Sequence, residues 1–255
     1  MSSLKAVLFD MDDTLLDWSR RSGDWASHER AHLQHVFDYV VETIQPIFSP
    51  VADFFDEVRR ISRQAWLDAE YTYHAPHYGE ALLMAFDLMG VPRAKLDINV
   101  CLRRYDWQVA SGVTCFPDVP EALAALQQQG IAMGVVTNAS VPMWMRDQEL
   151  AAFNLLNYFG ACRFAAADVG FIKPHQAIFR AALDCLGVSP SEVVFVGDNP
   201  VADVAGAQKM GMRAVLRLLD HRPPMVALGE IVPDGEIKTL LDLLPLFDDW
   251  YPGWR

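Results

Sequence analysis

The chain has 255 residues, of which 52% are hydrophobic and 21% charged, and this composition is typical of a globular protein with a sizeable core. Its formal net charge of −12 argues against nucleic acid or an anionic membrane as a partner, because both require a basic face. The N-terminus lacks the pattern of a signal peptide and no apolar run is long enough for a membrane span, so a cytoplasmic location is predicted.

The first predicted element is a strand, Lys5–Phe9, and three carboxylates follow it at once: Asp10, Asp12 and Asp13. Acids crowded at one point repel each other, and burying even one of them unpaired is costly. A counter-charge is therefore expected near these side chains.

The stretch 17–112 contains no convincing strand and shows helical periodicity instead. Four helical segments are predicted within it, at 28–44, 51–70, 78–90 and 95–112. This region is predicted to be an all-helical insert after the first strand. Several arginines lie on its helices, and the sequence does not indicate which of them face the rest of the protein: Arg59, Arg60, Arg63, Arg103 and Arg104.

Strands and helices alternate in the remainder of the chain. Further apolar runs predict strands that are buried on both faces, as in a parallel sheet covered by helices. These runs are Ile131–Thr137, Val193–Gly197 and Arg213–Leu218, with a weaker one at 161–167. The alternation predicts an α/β fold, a doubly wound Rossmann-like core with a parallel sheet.

One helix start carries a specific signal. Asp118 precedes a helical pattern and Glu121 follows three residues later, which predicts an N-cap with a capping box.

Polar residues follow the predicted strands at the points where each strand ends. In an open parallel sheet, ligands bind outside the carboxyl ends of the strands. Each of these residues alone is ordinary loop or cap chemistry, but together they indicate one site. They are Asp10, Asp12, Thr14, Thr137, Asn138, Lys173, Asp198 and Asp203.

A divalent cation would explain the clustered acids. Mg²⁺ prefers oxygen ligands, usually one or two carboxylates with phosphate and water. The side chains of Asp10 and Asp198 and the backbone carbonyl of Asp12 are the predicted protein ligands. Thr137 and backbone N–H groups around Asn138 are suited to hold phosphate oxygens.

Four motifs in order resemble those of the haloacid dehalogenase (HAD) superfamily, in its phosphatase type with a helical (C1-type) cap. "DMDDT" fits the first motif, D-x-D-x-T, and "VVTN" fits the second, a strand that ends in Thr or Ser. "KP" at Lys173 fits the third, and "VGDNPVADVAGA" fits the fourth, G-D-x-x-x-x-D. The resemblance implies a core domain of residues 1–16 and 113–255 with a cap domain of residues 17–112.

The resemblance also implies a mechanism. Asp10 attacks phosphorus and forms an aspartyl-phosphate, while Asp12 protonates the leaving alcohol and later activates water. Lys173 stabilises the charge on the nucleophile and the phosphoryl group. Asp203 orients the hydrated metal or Lys173, and Thr14 supports the first motif. Asp13 is not a motif position and is interpreted as a loop or helix-start residue.

The predicted function is a Mg²⁺-dependent phosphatase that acts on a small phosphorylated metabolite. Dehalogenation is disfavoured, since dehalogenases of this superfamily lack the second acid of the first motif, here Asp12. A phosphomutase with the same motifs and a non-catalytic sensor of a phosphorylated ligand remain alternatives. Neither the substrate nor the choice between monomer and homodimer follows from the sequence.

Cysteines and histidines give weaker signals. Cys101, Cys115, Cys162 and Cys185 are widely spread without a C-x-x-C pair, which predicts free, mostly buried thiols. In the insert, His28, His32 and His35 share a helical face where a zinc ion is conceivable, but solvated or partner-facing histidines are commoner.

Overall fold

The structure is a computed structural model that describes residues 3–22, 25–220 and 231–255. Its main sheet is parallel throughout. Across this sheet the strands are β5 (Arg163–Ala165), β4 (Ala132–Thr137), β1 (Ala6–Phe9), β6 (Val193–Gly197), β7 (Arg213–Arg217) and β8 (Gly235–Ile237). A short antiparallel pair, β2 (Leu16–Asp17) with β3 (Thr114–Cys115), stands apart from it.

The helices fall into two groups. Those between β2 and β3 are α1 (Trp25–Thr43), α2 (Val51–Thr72), α3 (Tyr78–Leu88) and α4 (Ile98–Tyr105). Those that follow β3 are α5 (Val119–Gln128), α6 (Met143–Ala152), α7 (Ala166–Val169), α8 (Gln176–Leu186), α9 (Gly206–Lys209) and α10 (Leu243–Trp250). None of the helices in the described part of the chain has the length and apolarity that crossing a bilayer requires.

Strand β1 occupies the centre of the sheet, between β4 and β6. Its four side chains are fully buried and alternate between two apolar clusters. Val7 and Phe9 belong to one cluster, and Ala6 and Leu8 belong to the other. Because both faces of the sheet are covered, the apolar run is continuous, as the sequence predicts for a parallel sheet.

The predicted α/β doubly wound core is confirmed. The strong apolar runs become β1, β4, β6 and β7, with bounds within one residue of the predictions. The weak run over 161–167 forms only the three-residue strand β5 before turning into α7. Strand β8 was not predicted, since "GEI" is short and only its last residue is apolar.

The segment between β2 and β3 is helical, as predicted, although its last helix is shorter than expected. Helix α4 ends at Tyr105 because Asp106 adopts a left-handed conformation with φ of 52°. The assignment of 17–112 as a separate cap domain remains a prediction.

Residues 73–78, which connect α2 to the start of α3, bind through the main chain to the loop after β4 and to the loop after α7. The Ile172 amide donates to the Tyr73 carbonyl over 2.9 Å, and the Ala75 amide donates to Gly170 over 2.9 Å. The Tyr78 amide donates to the Ser140 carbonyl over 2.8 Å. The helical segment therefore lies against the loop that follows β4 and the loop that follows α7.

The predicted capping box at α5 is wrong. Helix α5 begins after Asp118, but the Asp118 side chain makes no capping hydrogen bond. It accepts instead from Arg217 over 2.9 Å and from the Leu240 amide over 2.6 Å. A buried arginine next to the helix start competes for this carboxylate, and a charged pair in a half-buried position outweighs a local cap.

The prediction of four free thiols is also wrong. Cys162 and Cys185 form a disulfide that joins the residue before β5 to α8, whereas Cys101 and Cys115 are free. The two bonded cysteines are 23 positions apart and have no local spacing signal. Packing of α8 against β5 brings them together, and that contact cannot be seen in the sequence.

Candidate active site

Asp10 is the first residue after the central strand. Its amide donates to the Val196 carbonyl over 2.9 Å, which extends the pairing of β1 with β6. One carboxylate oxygen accepts from Lys173 Nζ at 2.6 Å, and the other accepts from Thr14 Oγ1 at 3.3 Å. The side chain is therefore held at the switch point of the sheet, where ligands bind in this class of fold.

Lys173 is held in place by groups from two other strand ends. The Asn138 side chain accepts from the Lys173 amide over 2.7 Å and donates to its carbonyl over 3.3 Å. The Lys173 side chain is 2% exposed, and its Nζ contacts Asp203 Oδ1 at 2.7 Å in addition to Asp10. The Asn138 side chain is thus engaged with the lysine loop, and the phosphate contact predicted at this position stays a prediction for its backbone N–H groups.

Asp203 reaches the site from the helical turn that follows β6. Its Oδ2 accepts from the Asn199 amide over 2.9 Å and lies over Gly197. A Cβ at Gly197 would come within 2.2 Å of that oxygen, so only glycine permits the approach. The close approach of Asp203 therefore explains why β6 ends with a glycine, Gly197.

Burial and neighbouring charges together set the pKa values of Asp10 and Lys173. Desolvation raises the pKa of Asp10 well above its usual value, although the charge of Lys173 opposes this. Burial alone would lower the pKa of Lys173, but the carboxylates of Asp10 and Asp203 more than compensate and raise it. The lysine is therefore charged, and the excess of carboxylates leaves the site short of positive charge.

Carboxylate oxygens of Asp10, Asp198 and Asp203 lie within 4.8 Å of one another. Such a set of hard oxygen donors matches the preference of a small divalent cation, and the negative excess favours one. The residues present therefore fit the predicted metal. In the insert, by contrast, His32 Nδ1 contacts the Tyr105 carbonyl at 2.7 Å and is engaged within the protein.

Asp12 lines a cavity next to the strand ends. Its side chain is 40% exposed, and its Oδ1 accepts a hydrogen bond from Arg146. Arg146 is buried between the indoles of Trp18 and Trp107, whose centres lie 5.9 and 5.8 Å from the guanidinium carbon. Asp12 is consequently fixed at the cavity floor by an arginine that the sequence analysis did not identify.

Glu149 supports Arg146 from behind. It is fully buried, and its Oε2 lies 2.9 Å from Arg146 Nε as an ion pair without hydrogen-bond geometry. Both residues belong to α6, three positions apart. The sequence signal available for this pair was two opposite charges at i and i+3 among the apolar residues Met143, Met145 and Leu150. Charged side chains rarely lie on an apolar helix face unless they are paired.

Glu149 should make folding stability depend on pH. Burial raises its pKa to about 7 from an ordinary value of 4.5, against the opposing charge of Arg146. Because the folded state holds this proton more tightly, the contribution is fully present below pH 4.5 and is lost as pH rises through about 7. The loss should be about 3 kcal/mol.

Urea unfolding of the wild type and of Glu149→Gln between pH 4 and pH 8 measures this contribution. The free energy of unfolding of the wild type should fall by about 3 kcal/mol more than that of the variant. Glu121→Gln, which changes an exposed acid of α5, should keep the wild-type dependence. Equal pH dependence in the wild type and in Glu149→Gln would contradict the assignment.

A cavity of about 880 Å³ lies between Asp12 and the helical segment. This volume is within the range of small-molecule sites. Its lining combines charged and aromatic side chains from α1–α4 with the loop that follows β4. Asp12, two residues after Asp10, and Asn138, which directly follows β4, both line the cavity, so a ligand in it reaches the carboxyl ends of these strands.

The five arginines singled out in the helical segment differ in their surroundings. Arg59 and Arg63 line this cavity, whereas Arg60 forms an ion pair with Glu57 at 2.7 Å. Arg103 and Arg104 line a separate cavity of about 420 Å³. Of these five arginines, the two that line the cavity lie on one face of α2, and Arg21, before α1, lines it as well.

Comparisons with known proteins agree with this architecture. A family model for haloacid dehalogenase-like hydrolases matches residues 4–211. The glyceraldehyde 3-phosphate phosphatase of Methanopyrus kandleri is 28% identical over 243 residues, which cover 94% of this chain and 96% of that protein. The phosphoglycolate phosphatase of Pectobacterium atrosepticum is 36% identical over 146 residues, covering 56% of this chain and 58% of that protein.

Solved structures give the same picture. A HAD phosphatase from Thermococcus onnurineus is 27% identical with a TM-score of 0.58, covering 96% of this chain and 98% of that one. A 2-haloacid dehalogenase from Pseudomonas syringae is 26% identical with a TM-score of 0.62, covering 97% and 99%. The fold is thus shared by proteins named for two different reactions.

Proposed function

The chain belongs to the haloacid dehalogenase-like hydrolases, and from this membership we propose that it is a Mg²⁺-dependent phosphatase acting on a small phosphorylated metabolite. The observation that carries the proposal is the arrangement around Asp10. Its carboxylate lies with those of Asp198 and Asp203, and Asp12 faces the cavity beside it. The phosphatase names of the relatives point to the same chemistry.

The reaction has two steps. In the first, a carboxylate oxygen of Asp10 attacks phosphorus, the bond from phosphorus to the leaving oxygen breaks, and Asp12 gives that oxygen its proton. In the second, water attacks phosphorus, Asp12 takes its proton, and the bond to Asp10 breaks to release inorganic phosphate. Both steps need Asp12 on the side of the leaving group, and the hydrogen bond from Arg146 would hold it in a fixed position.

The remaining polar residues bind the phosphoryl group and its charge. Lys173 contributes a positive charge beside Asp10, and Thr137 with backbone N–H groups near Asn138 binds phosphate oxygens. The side chains of Asp10 and Asp198 and the carbonyl of Asp12 would hold Mg²⁺. When bound, the ion neutralises the charge of the carboxylates and of the phosphate.

Activity on a generic substrate tests the function. The protein with Mg²⁺ should release phosphate from an aryl phosphate, and EDTA should abolish the release. Asp12→Ala should leave little turnover while the fold is retained. Halide release from a 2-haloalkanoate without phosphate release would favour the reaction for which the structural neighbour is named, and binding of phosphorylated ligands without turnover would favour a sensor.

Metal binding is testable without turnover. Mg²⁺ at about 100 times its dissociation constant should raise the free energy of unfolding by about 2.7 kcal/mol. Asp198→Asn should reduce this stabilisation, because it removes one charged ligand. The matched control is Asp184→Asn, at an exposed position of α8, which should respond to Mg²⁺ like the wild type. A full response in Asp198→Asn would exclude that residue as a ligand.

A further inference from the structure

One face of α2 forms a wall of the cavity. Arg59, Ser62, Arg63 and Trp66 all line it, and their spacing of three, one and three places them on the same side of a helix. Asp12 and the loop after β4 line the same cavity. The α2 face therefore shares this cavity with the proposed proton donor.

Arg59 is a fixed part of this wall. Its Nε donates to Glu29 Oε2 over 3.2 Å, and its Nη2 donates to the Ala26 carbonyl over 2.7 Å. Glu29 also accepts from the hydroxyl of Tyr78 over 2.8 Å. The charge of Arg59 is thus neutralised within the helical segment, and its guanidinium has little freedom to turn toward a ligand.

Arg63 lies one helical turn further along and differs from Arg59. It makes no ion pair or hydrogen bond within the part of the chain that the structure describes. Ser62 Oγ, also on this face, is buried and has no hydrogen-bond partner among the described residues. Two adjacent donors of one wall are therefore available to a ligand.

The geometry of the displacement determines which part of the substrate reaches Arg63 and Ser62. In an in-line displacement the leaving group departs on the side opposite the nucleophile. With Asp10 at the strand end, the leaving group extends past Asp12 into the cavity and toward α2. The guanidinium of Arg63 presents a planar set of donors that suits a carboxylate or a phosphate.

We infer that the leaving group of the substrate carries a second anionic group, a carboxylate or a phosphate, which Arg63 binds from the face of α2. The inference rests on the proposed phosphatase function. An acidic chain with a net charge of −12 repels a substrate with two anionic groups, and Arg63 supplies the local charge that offsets this. Trp66 beside it gives the carbon chain between the two groups an apolar surface.

The test uses matched substrates. Alkyl phosphates with two to five carbons are compared with the same chains ending in a carboxylate or in a second phosphate. For the wild type, kcat/KM should be about tenfold or more higher with an anionic end, as expected for one charged hydrogen-bonded contact. The end group that gives the larger increase in kcat/KM identifies the second anionic group of the substrate as a carboxylate or as a phosphate.

Two arginine variants on one helix complete the test. Arg63→Gln should lower the preference for anionic ends toward one, whereas Arg60→Gln, at the Glu57 ion pair outside the cavity, should keep it. An unchanged preference in Arg63→Gln, or none in the wild type, overturns the inference while phosphatase activity stands. Failure to release phosphate from any of these substrates overturns the proposed function itself.

Discussion

Asp10→Asn should lower phosphate release by at least about a thousandfold, because an amide oxygen cannot replace a carboxylate as the nucleophile. The variant should fold, since the asparagine oxygen can accept from Lys173 while its NH2 group donates to the Thr14 hydroxyl, and Lys173 keeps its contact with Asp203. Mass spectrometry after rapid acid quench offers a second readout. The wild type should carry one additional phosphoryl group, and the variant none.

The neighbouring acid provides the control for this variant. Asp13 has φ of 59°, a conformation that asparagine tolerates better than most residues, and its Oδ1 accepts from the Trp18 amide over 3.1 Å. Asp13→Asn can keep both features and should retain most of the activity. If Asp10→Asn released phosphate at the rate of Asp13→Asn, the assignment of Asp10 as the nucleophile would be wrong.

Lys173→Met should affect both stability and activity. The lysine is the counter-charge that Asp10 and Asp203 share, at 2.6 and 2.7 Å. Its removal leaves two buried carboxylates without this partner, which should lower the free energy of unfolding by about 3–5 kcal/mol in the absence of metal. Phosphate release should fall by about a hundredfold or more, because the charge beside the nucleophile is lost.

A double variant separates these two effects. Lys173→Met combined with Asp203→Asn removes one of the two orphaned charges and should recover part of the stability in urea unfolding. Activity should stay at the level of the single variant, because the positive charge is still missing. A single variant as stable as the wild type would show that the lysine does not balance these carboxylates.

The strand ends could be predicted because their signals are local. Continuous apolar runs reveal buried strands, and a parallel sheet brings its carboxyl ends together whatever the loops do. Asp10, Asp198 and Asp203 were therefore expected in one place, and their oxygens lie within 4.8 Å of one another. Asp203 was expected to orient either the metal or Lys173, and its 2.7 Å contact is with Lys173.

Contacts between distant segments could not be predicted in the same way. Arg146 and Glu149 carry charge within α6, but nothing in a single sequence tells that they face Asp12. The Cys162–Cys185 bond depends on how α8 packs on β5, and Asp118 turns from its helix to Arg217, 99 positions away. In each case tertiary proximity outweighs a local preference.

The main-chain bonds of residues 73–78 couple the position of the helical segment to the position of two loops at the site. One loop that they join carries Asn138, and the other leads directly into Lys173. Withdrawing the helices to admit a substrate would break the amide pairs at Ala75, Tyr78 and Ile172, and both loops would lose a support at the same moment. Opening of this kind would therefore loosen the supports of Asn138 and Lys173 together, and closure would restore both at once.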